Sequence, residues 1–145
     1  MDIVHFEAAG GVLFDRDRVL VLRSVRYGDL RLPKGHIEDD ESTREAALRE
    51  VAEESGYIDI EAVADLGEQD VEYDLGERHI IRHEHYYMMR LLGPRQGQRP
   101  IADWKFMPEW LTWDEAIANL EFDEERRWLV QAQEIWANDG GGETT

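Results

Sequence analysis

Three glutamates have a spacing that could hold a metal ion. Glu50, Glu53 and Glu54 lie at positions i, i+3 and i+4, so a helix would place their carboxylates on one face. Carboxylates that share a face repel one another unless a cation lies among them. Their hard oxygens suit Mg²⁺, Mn²⁺ or Ca²⁺ better than a softer metal. A run of acids with this spacing is more commonly a solvated acidic face than a metal site. The surrounding residues are therefore needed to distinguish the two.

The helix that would carry these glutamates is bounded by further signals. Ser42 followed by Glu45 is typical of a capping box, and Gly56 is typical of a helix end. Ala46 and Ala47 are expected on the glutamate face, where small side chains would leave room close to the backbone. The opposite face is expected to point into a core with Leu48, Val51 and Ala52.

A longer pattern of fixed residues surrounds the glutamates. Gly35 is followed after five residues by Glu41, and after seven more by the run REVAEESGY at residues 49–57. The segment 35–57 matches every fixed position of the Nudix box, and a chance match on composition is about one in a million. The chain therefore resembles the Nudix hydrolase family.

This resemblance implies an α/β fold, the α/β/α sandwich of the family with a mixed sheet between helices. It implies hydrolysis of a nucleoside diphosphate linked to another group, with Mg²⁺ or Mn²⁺ as the cofactor. The implied metal ligands are the Gly35 carbonyl and the carboxylates of Glu50, Glu53 and Glu54. Arg49 and Glu53 are the implied catalytic residues. Arg49 would orient the glutamates by ion pairing, and Glu53 would act as general base or bridging acid. Glu41 would be a structural acid or an outer-shell acid of the metal site.

Five basic residues are candidates for contact with the substrate's phosphates. Lys34, one of only two lysines, lies in the segment LPKGH at residues 32–36, and a compact ammonium suits a phosphate oxygen. This segment resembles relatives that cleave dinucleoside polyphosphates such as diadenosine tetraphosphate, and others that act on diphosphoinositol polyphosphates. His36 could contact phosphate or only stabilise the loop. Arg23, Arg31 and Arg82 could add contacts, although a surface ion pair is the more common role for each.

Other side chains have weaker claims to a place in the site. Glu84 and Glu109 are outside candidates for a catalytic acid, since an ordinary core-edge or surface carboxylate is more common. His83 and His85 alternate with Arg82 and Glu84, so we expect them to make hydrogen bonds at the core edge. The aromatic residues that could stack on a base, although core packing is more common, are Tyr27, Tyr86, Tyr87 and Trp104.

Composition narrows the classes of partner. The 33 acidic residues against 16 lysines and arginines give a net charge of −17, which argues against nucleic acid and against an anionic membrane surface as partners. The absence of cysteine excludes disulfides, thiolate catalysis and zinc–thiolate sites. No apolar run has transmembrane length and no signal peptide is recognisable. We therefore expect a cytoplasmic protein with a small-molecule nucleotide substrate, and a homodimer is one option for its oligomeric state.

The elements that must position the site follow from local patterns. One domain is expected at residues 1–138, with a flexible tail at 139–145. Gly10 and Gly11 indicate a bulge or a close backbone approach within the first strand. Residues 27–40 are expected to form a loop. Strands are predicted at 4–14, 19–22, 58–63, 70–73 and 80–92, and helices at about 43–55, 112–120 and 124–137.

Several functions remain open from the sequence. A dinucleoside polyphosphate hydrolase is the first hypothesis, and a hydrolase of ordinary or damaged nucleoside triphosphates is the alternative in the same class. A diphosphoinositol polyphosphate is less favoured because no dense basic patch is present. A nucleotide-binding module without turnover, or an acidic structural or metal-buffering protein, represents the other classes. The complete set of Arg49, Glu50, Glu53 and Glu54 speaks against a module that only binds.

Overall fold

The computed structural model describes residues 2–100 and 104–139, and its core is a mixed sheet of seven strands within those residues. The elements in chain order are β1 (Asp2–Asp15), β2 (Arg18–Ser24), β3 (Leu30–Arg31), β4 (Lys34–His36), α1 (Thr43–Ser55), β5 (Ile60–Leu75), β6 (Arg78–Leu91), β7 (Phe106–Thr112), α2 (Trp113–Asn119) and α3 (Asp123–Asn138).

The sheet is mixed because β1 has partners of both directions. β1 runs parallel to β6, from the pair Asp2–Arg78 to the pair Phe14–Arg90, and antiparallel to β2 and β4. The strand order is β3-β2-β1-β6-β5, while β7 pairs with β2. The predicted mixed sheet is therefore confirmed.

Helices cover both faces of this sheet. Successive residues of a strand point to opposite faces, and β1 accordingly feeds two separate cores. Ala9 and Leu13 pack with α1 on one face, whereas Val12 and Phe14 pack with α2 and α3 on the other. This arrangement is the predicted α/β/α sandwich.

Helix α1 begins and ends as the sequence predicts. The Ser42 side chain accepts a hydrogen bond from the Glu45 amide, and the Glu45 side chain accepts from the Ser42 amide, which completes the capping box. Gly56 ends the helix in the left-handed region with φ of 87°, a conformation that glycine adopts without steric strain. The helix that carries the three glutamates is thus set by local signals.

The prediction that Ala46 and Ala47 line an open glutamate face is wrong. Both are fully buried in the core beside Val51. A Cβ added at Gly11 of β1 would lie 2.9 Å from the Val51 Cγ2 atom, so helix and strand approach too closely for any space to remain. The small residues on both elements permit helix–sheet contact rather than ligand access.

Three predictions about strands also need correction. The strands predicted at 58–63 and 70–73 are one strand, β5, which continues through two register shifts near Gly67. Gly67 has φ of 102°, and this residue breaks the local strand pattern in the sequence. The predicted loop at 27–40 contains β3 and β4. β7 was not predicted from the sequence. It contains Pro108, which lacks a backbone N–H, but a strand that among the described residues pairs only with β2 at the edge of the sheet tolerates a proline.

Histidines of β6 pair with acids of β5. His83 lies 2.6 Å from Asp70 Oδ1, and His85 lies 2.6 Å from Asp65 Oδ1. The expected hydrogen bonds of these two histidines are therefore confirmed, although both pairs lie at the surface. Because the partners belong to neighbouring strands, each pair also fixes the register of β5 against β6.

Two further observations concern membrane-spanning helices and the predicted tail. Within residues 2–100 and 104–139, no helix is long and apolar enough to cross a membrane. Of the predicted tail, only Asp139 lies inside the described residues. The domain limits at residues 1–138 therefore stay a prediction.

Replacing His79 should change the pH dependence of stability. Hydrogen bonds to Asp74 and then to Glu72 raise the pKa of His79 above its ordinary value of 6.5. The stabilisation is therefore complete below pH 6.5 and is lost as pH rises through the folded-state pKa. Urea unfolding of the wild type and His79→Gln should show a difference in free energy that is largest near pH 5.5 and shrinks by pH 9. A difference that grew with pH would contradict this assignment.

Candidate active site

Arg49 lies at the centre of a group of carboxylates. Its Nη1 atom is 2.8 Å from Glu50 Oε1 and 3.3 Å from Glu53 Oε2. Its Nε and Nη2 atoms donate to the two Glu41 oxygens at 2.6 and 2.9 Å, in a forked pair. Nη2 also donates to the His36 carbonyl at 3.0 Å. One guanidinium therefore joins the helix to β4 and to the loop before the helix.

These contacts fix the charge state of the group. The hydrogen bonds to Glu41, ahead of that to Glu50, raise the pKa of Arg49 well above its ordinary value. The same pair with Arg49 lowers the pKa of Glu41. Arg49 is a permanent cation that pairs with an ionised Glu41, in keeping with the orienting role predicted for it.

Gly35 and Glu50 are in close contact. A Cβ at Gly35 would lie 2.1 Å from the Glu50 carboxyl carbon, which is far inside van der Waals contact. Only glycine at this position lets the Glu50 carboxylate lie against the backbone of β4. The residue type at position 35 is thus set by the carboxylate of position 50.

Glu54 is held by strand β4. Its Oε1 atom accepts a hydrogen bond from the Lys34 amide at 2.9 Å. Glu53, with 38% of its side chain exposed, faces solvent more than Glu50, with 15%. The three glutamates therefore differ in environment, and Glu53 is more open to a reacting group than Glu50 is.

The chemical types of the predicted ligands suit a hard divalent cation. They offer carboxylate oxygens and the Gly35 carbonyl, and the contact between Gly35 and Glu50 brings two of these donor residues together. As the side chains stand, no three His, Asp or Glu side chains of the described residues are grouped to hold a metal ion. Because Arg49 binds Glu50 and Glu53, a cation would compete with the guanidinium for their oxygens. The four metal ligands stay a prediction.

A cavity of about 430 Å³ lies beside these acids. Four of the five predicted substrate contacts line this cavity, namely Arg31, Lys34, His36 and Arg82, together with Gly35 and Glu54. Arg23 is not among the lining residues. It pairs instead with Glu109 and with the Gly28 carbonyl, so neither Arg23 nor Glu109 is proposed for the site.

Two buried carboxylates lie behind the cavity wall. Glu84, 1% exposed, accepts hydrogen bonds from Gln69 at 2.7 Å and Trp128 at 3.2 Å, and its Oε2 atom lies 3.0 Å from Arg82 Nε. Although burial of Arg82 acts to lower its pKa, the Glu84 carboxylate raises that pKa overall. Glu84, an outside candidate for catalysis in the sequence, thus orients a cation of the pocket.

Glu125 was missed by sequence reasoning. It lies in the first turn of α3 and is 1% exposed. Its Oε2 atom accepts a hydrogen bond from the Leu32 amide and lies 3.6 Å from Lys34 Nζ. Burial raises the pKa of Glu125, while the Lys34 ammonium acts in the opposite direction. No local pattern distinguishes this residue from the solvated acids around it.

The aromatic residues of the pocket are not those expected from the sequence. Tyr86 and Tyr87 are buried in the two cores, and neither Tyr27 nor Trp104 lines the cavity. The rings that do line it are those of Phe6, Tyr73 and Phe106. They come from three separate strands, so only the sheet topology brings them together.

The chain belongs to the Nudix family. The family model of the NUDIX domain matches residues 4–133, and this match covers the sheet, α1, α2 and most of α3. Members of the family act on pyrophosphate bonds of nucleoside diphosphate derivatives. The resemblance seen in the sequence is therefore confirmed.

Similar proteins agree with this family. The chain is 34% identical over 145 residues to a Mycobacterium tuberculosis protein assigned as mutator protein MutT4, covering 93% of this chain and 57% of that protein. It is 33% identical over 121 residues to Nudix hydrolase 4 of Arabidopsis thaliana, covering 83% and 54% respectively. The chain thus spans little more than half the length of these relatives.

A solved structure agrees with the fold. The binary complex of a Caenorhabditis elegans Ap4A hydrolase superposes with a TM-score of 0.72 at 20% identity, over 92% of this chain and 98% of that chain. At this identity the likeness concerns the fold, which is the Nudix sandwich.

Replacing Arg49 with methionine should destabilise the protein by about 1–2 kcal/mol. The substitution leaves Glu41, Glu50 and Glu53 facing one another without a counter-charge. Lysine at position 49 should recover part of the loss, because it keeps the charge but not the forked geometry. Urea unfolding at low and high salt measures both effects, and added salt should narrow the difference.

The matched control is Arg44→Met, which removes the same charge from an exposed position of α1. Its free energy of unfolding should stay within about 0.5 kcal/mol of the wild type. Equal destabilisation by the two substitutions would show that net charge, and not the Arg49 contacts, is responsible.

Proposed function

We propose that this domain hydrolyses a phosphoanhydride bond of a nucleoside-diphosphate-linked substrate, with a dinucleoside polyphosphate such as diadenosine tetraphosphate as the preferred class. The observation that carries the proposal is one pocket in which Lys34, His36 and Arg82 lie beside Gly35 and Glu54. A chain of net charge −17 has few cations to spare. Cationic groups gathered beside acids are the pattern expected where a polyanion meets a metal site.

The cationic side of the pocket would bind the phosphates. Lys34 and Arg82 keep 21% and 19% of their side chains exposed, which is enough to reach a ligand in the cavity. Arg82 is held by Glu84 and has other N–H groups with which to donate to phosphate oxygens. The two cations would orient the polyphosphate and neutralise part of its charge.

The acidic side of the pocket would support the reaction. Mg²⁺ or Mn²⁺, held by Glu50, Glu53, Glu54 and the Gly35 carbonyl, would supply charge neutralisation at the phosphate and make water a better nucleophile. Arg49 holds Glu50 and Glu53 on the same side of α1. Glu53 would accept the proton of the attacking water, since its carboxylate is the more exposed of that pair.

The aromatic side of the pocket would bind the base. Tyr73 and Phe6 come from different strands and line the same cavity as Arg82. A flat base gains about 1–3 kcal/mol by stacking on such rings. A cavity of about 430 Å³ lies at the small end of the range for ligand sites, so one nucleoside would enter and the other would extend into solvent.

A solved structure with the same fold supports this substrate class. The solved neighbour is named as an Ap4A hydrolase, and its fold matches this chain over nearly its full length. The second candidate function is hydrolysis of nucleoside triphosphates to monophosphates. A cavity of this size has room for a single nucleotide, so it suits a nucleoside triphosphate as well as it suits one half of a dinucleoside polyphosphate.

The proposed substrate also bears on the partners of the protein. The partner would be a small-molecule nucleotide and not a nucleic acid or a membrane, in keeping with the strongly negative net charge. A cytoplasmic location and a homodimer stay predictions from the sequence.

Glu53→Gln should lower kcat at least about 100-fold, because the amide cannot accept a proton from water. The assay uses Mg²⁺ and diadenosine tetraphosphate, with products separated by chromatography. ATP plus AMP is the expected product pattern for the wild type, and a chelator should abolish it. Glu77→Gln, which removes one charge from the exposed turn between β5 and β6, should retain wild-type rates.

The alternatives have distinct outcomes in this assay. Release of monophosphate and pyrophosphate from nucleoside triphosphates alone would move the substrate to the second candidate. A folded wild type that hydrolyses neither class would contradict the proposal. Full activity of Glu53→Gln would keep the reaction and remove Glu53 as the base.

Tyr73→Ala should raise KM for diadenosine tetraphosphate about tenfold and leave kcat nearly unchanged, because stacking contributes to binding in both ground and transition states. Tyr27→Ala is the matched control, since Tyr27 is 72% exposed and does not line the cavity. Steady-state kinetics of both variants measure the effect. Equal KM values for the two variants would show that Tyr73 does not bind the base.

A further inference from the structure

Glu125 makes two contacts to one short segment at the pocket wall. Its Oε2 atom accepts from the Leu32 amide at 3.2 Å and lies 3.6 Å from the Lys34 ammonium. Only 2% of its side chain is exposed, against 21% for Lys34. Among the described residues, its Oε1 atom is buried without a hydrogen-bond partner.

Packing alone does not account for a carboxylate at this position. A buried carboxylate is destabilising unless its oxygens are satisfied, and one of the two Glu125 oxygens is not. The neighbouring α3 residues Trp128 and Leu129 build an apolar core, in which an apolar side chain would avoid the unsatisfied oxygen but would leave the Leu32 amide without this acceptor. What a carboxylate adds is a link between α3 and a cation of the pocket.

The segment that Glu125 holds is also bound from its other side. The Lys34 amide donates to Glu54 Oε1 at 2.9 Å, and the Gly11 amide donates to the Pro33 carbonyl at 3.2 Å. The backbone that reaches Glu54 and the ammonium that reaches the cavity thus belong to one residue, Lys34. A single anchor on α3 therefore acts on both sides of the pocket.

We propose that Glu125 is a positioning residue that holds the Lys34 ammonium at the pocket wall and keeps its backbone amide in place for Glu54. It does not touch the substrate itself. Its effect on hydrolysis rests on the proposed function, whereas its effect on the mobility of Lys34 does not. The two parts can therefore fail separately.

The direct test measures the motion of Lys34. The chain has only two lysines, Lys34 and the exposed Lys105, so ¹³C relaxation of the lysine ε-methylene groups gives two signals and an internal reference. In the wild type, the order parameter of Lys34 should exceed that of Lys105. In Glu125→Gln it should fall to the Lys105 value, while Lys105 is unchanged. Glu134→Gln, an exposed charge removal on the same helix, should leave both signals as they are.

The kinetic test asks whether Glu125 acts through Lys34. Glu125→Gln should raise KM for diadenosine tetraphosphate about threefold to fivefold, as expected for loss of an ion pair with one exposed partner, with a smaller change in kcat. In a Lys34→Met background the same substitution should have no further effect on KM. A residue with only a structural role would give additive effects in this cycle.

The outcomes separate this proposal from the proposed function. An unchanged Lys34 order parameter in folded Glu125→Gln, or additive KM effects, would overturn the positioning role. If Glu125→Gln does not fold, Glu125→Asp decides, since it keeps the charge but shortens the reach and should lower the Lys34 order parameter part of the way. Loss of Lys34 order in a protein without hydrolase activity would leave the positioning role intact and contradict the function.

Discussion

The site depends on one constraint, which is the mutual repulsion of the carboxylates that surround Arg49. Glu41, Glu50 and Glu53 are gathered around one cation, Arg49, which contacts all three. Because the same guanidinium also donates to the His36 carbonyl, the charge balance of the helix sets the position of β4. Without Arg49, these acids would repel one another and α1 would lose one of its links to β4, which stays paired with β1.

Close backbone approach is the second requirement, and small residues meet it on both sides of α1. Ala46 and Ala47 let the helix lie directly on β1, and Gly35 lets the Glu50 carboxylate lie directly on β4. The acids are consequently presented from a rigid helix rather than from a mobile loop. Residues of β4 and of β6, the two strands that flank β1, line the pocket, and among them are Lys34 and Arg82.

Local signals predicted helix α1 well. The capping box at Ser42 and the glycine cap at Gly56 depend only on nearby residues, so both were readable from the sequence. The pocket could not be predicted in the same way: Tyr73 and Phe6 share a cavity only through strand order, and Glu125 acts on Leu32 across 93 positions of the chain. The strands predicted at 58–63 and 70–73 are continuous in β5, and the register shifts near Gly67, which has a positive φ, depend on pairing with β6 that the local sequence does not show.

The central claim is that the face of α1 with Glu50, Glu53 and Glu54 binds the divalent ion used in hydrolysis. Anomalous diffraction from crystals soaked with Mn²⁺ tests it most directly. We expect an anomalous peak within about 2–2.3 Å of oxygens from these glutamates and the Gly35 carbonyl, with the Arg49 guanidinium displaced from at least one of the glutamates. Peaks only elsewhere, for example at the histidine–carboxylate pairs of β5 and β6, would contradict the account.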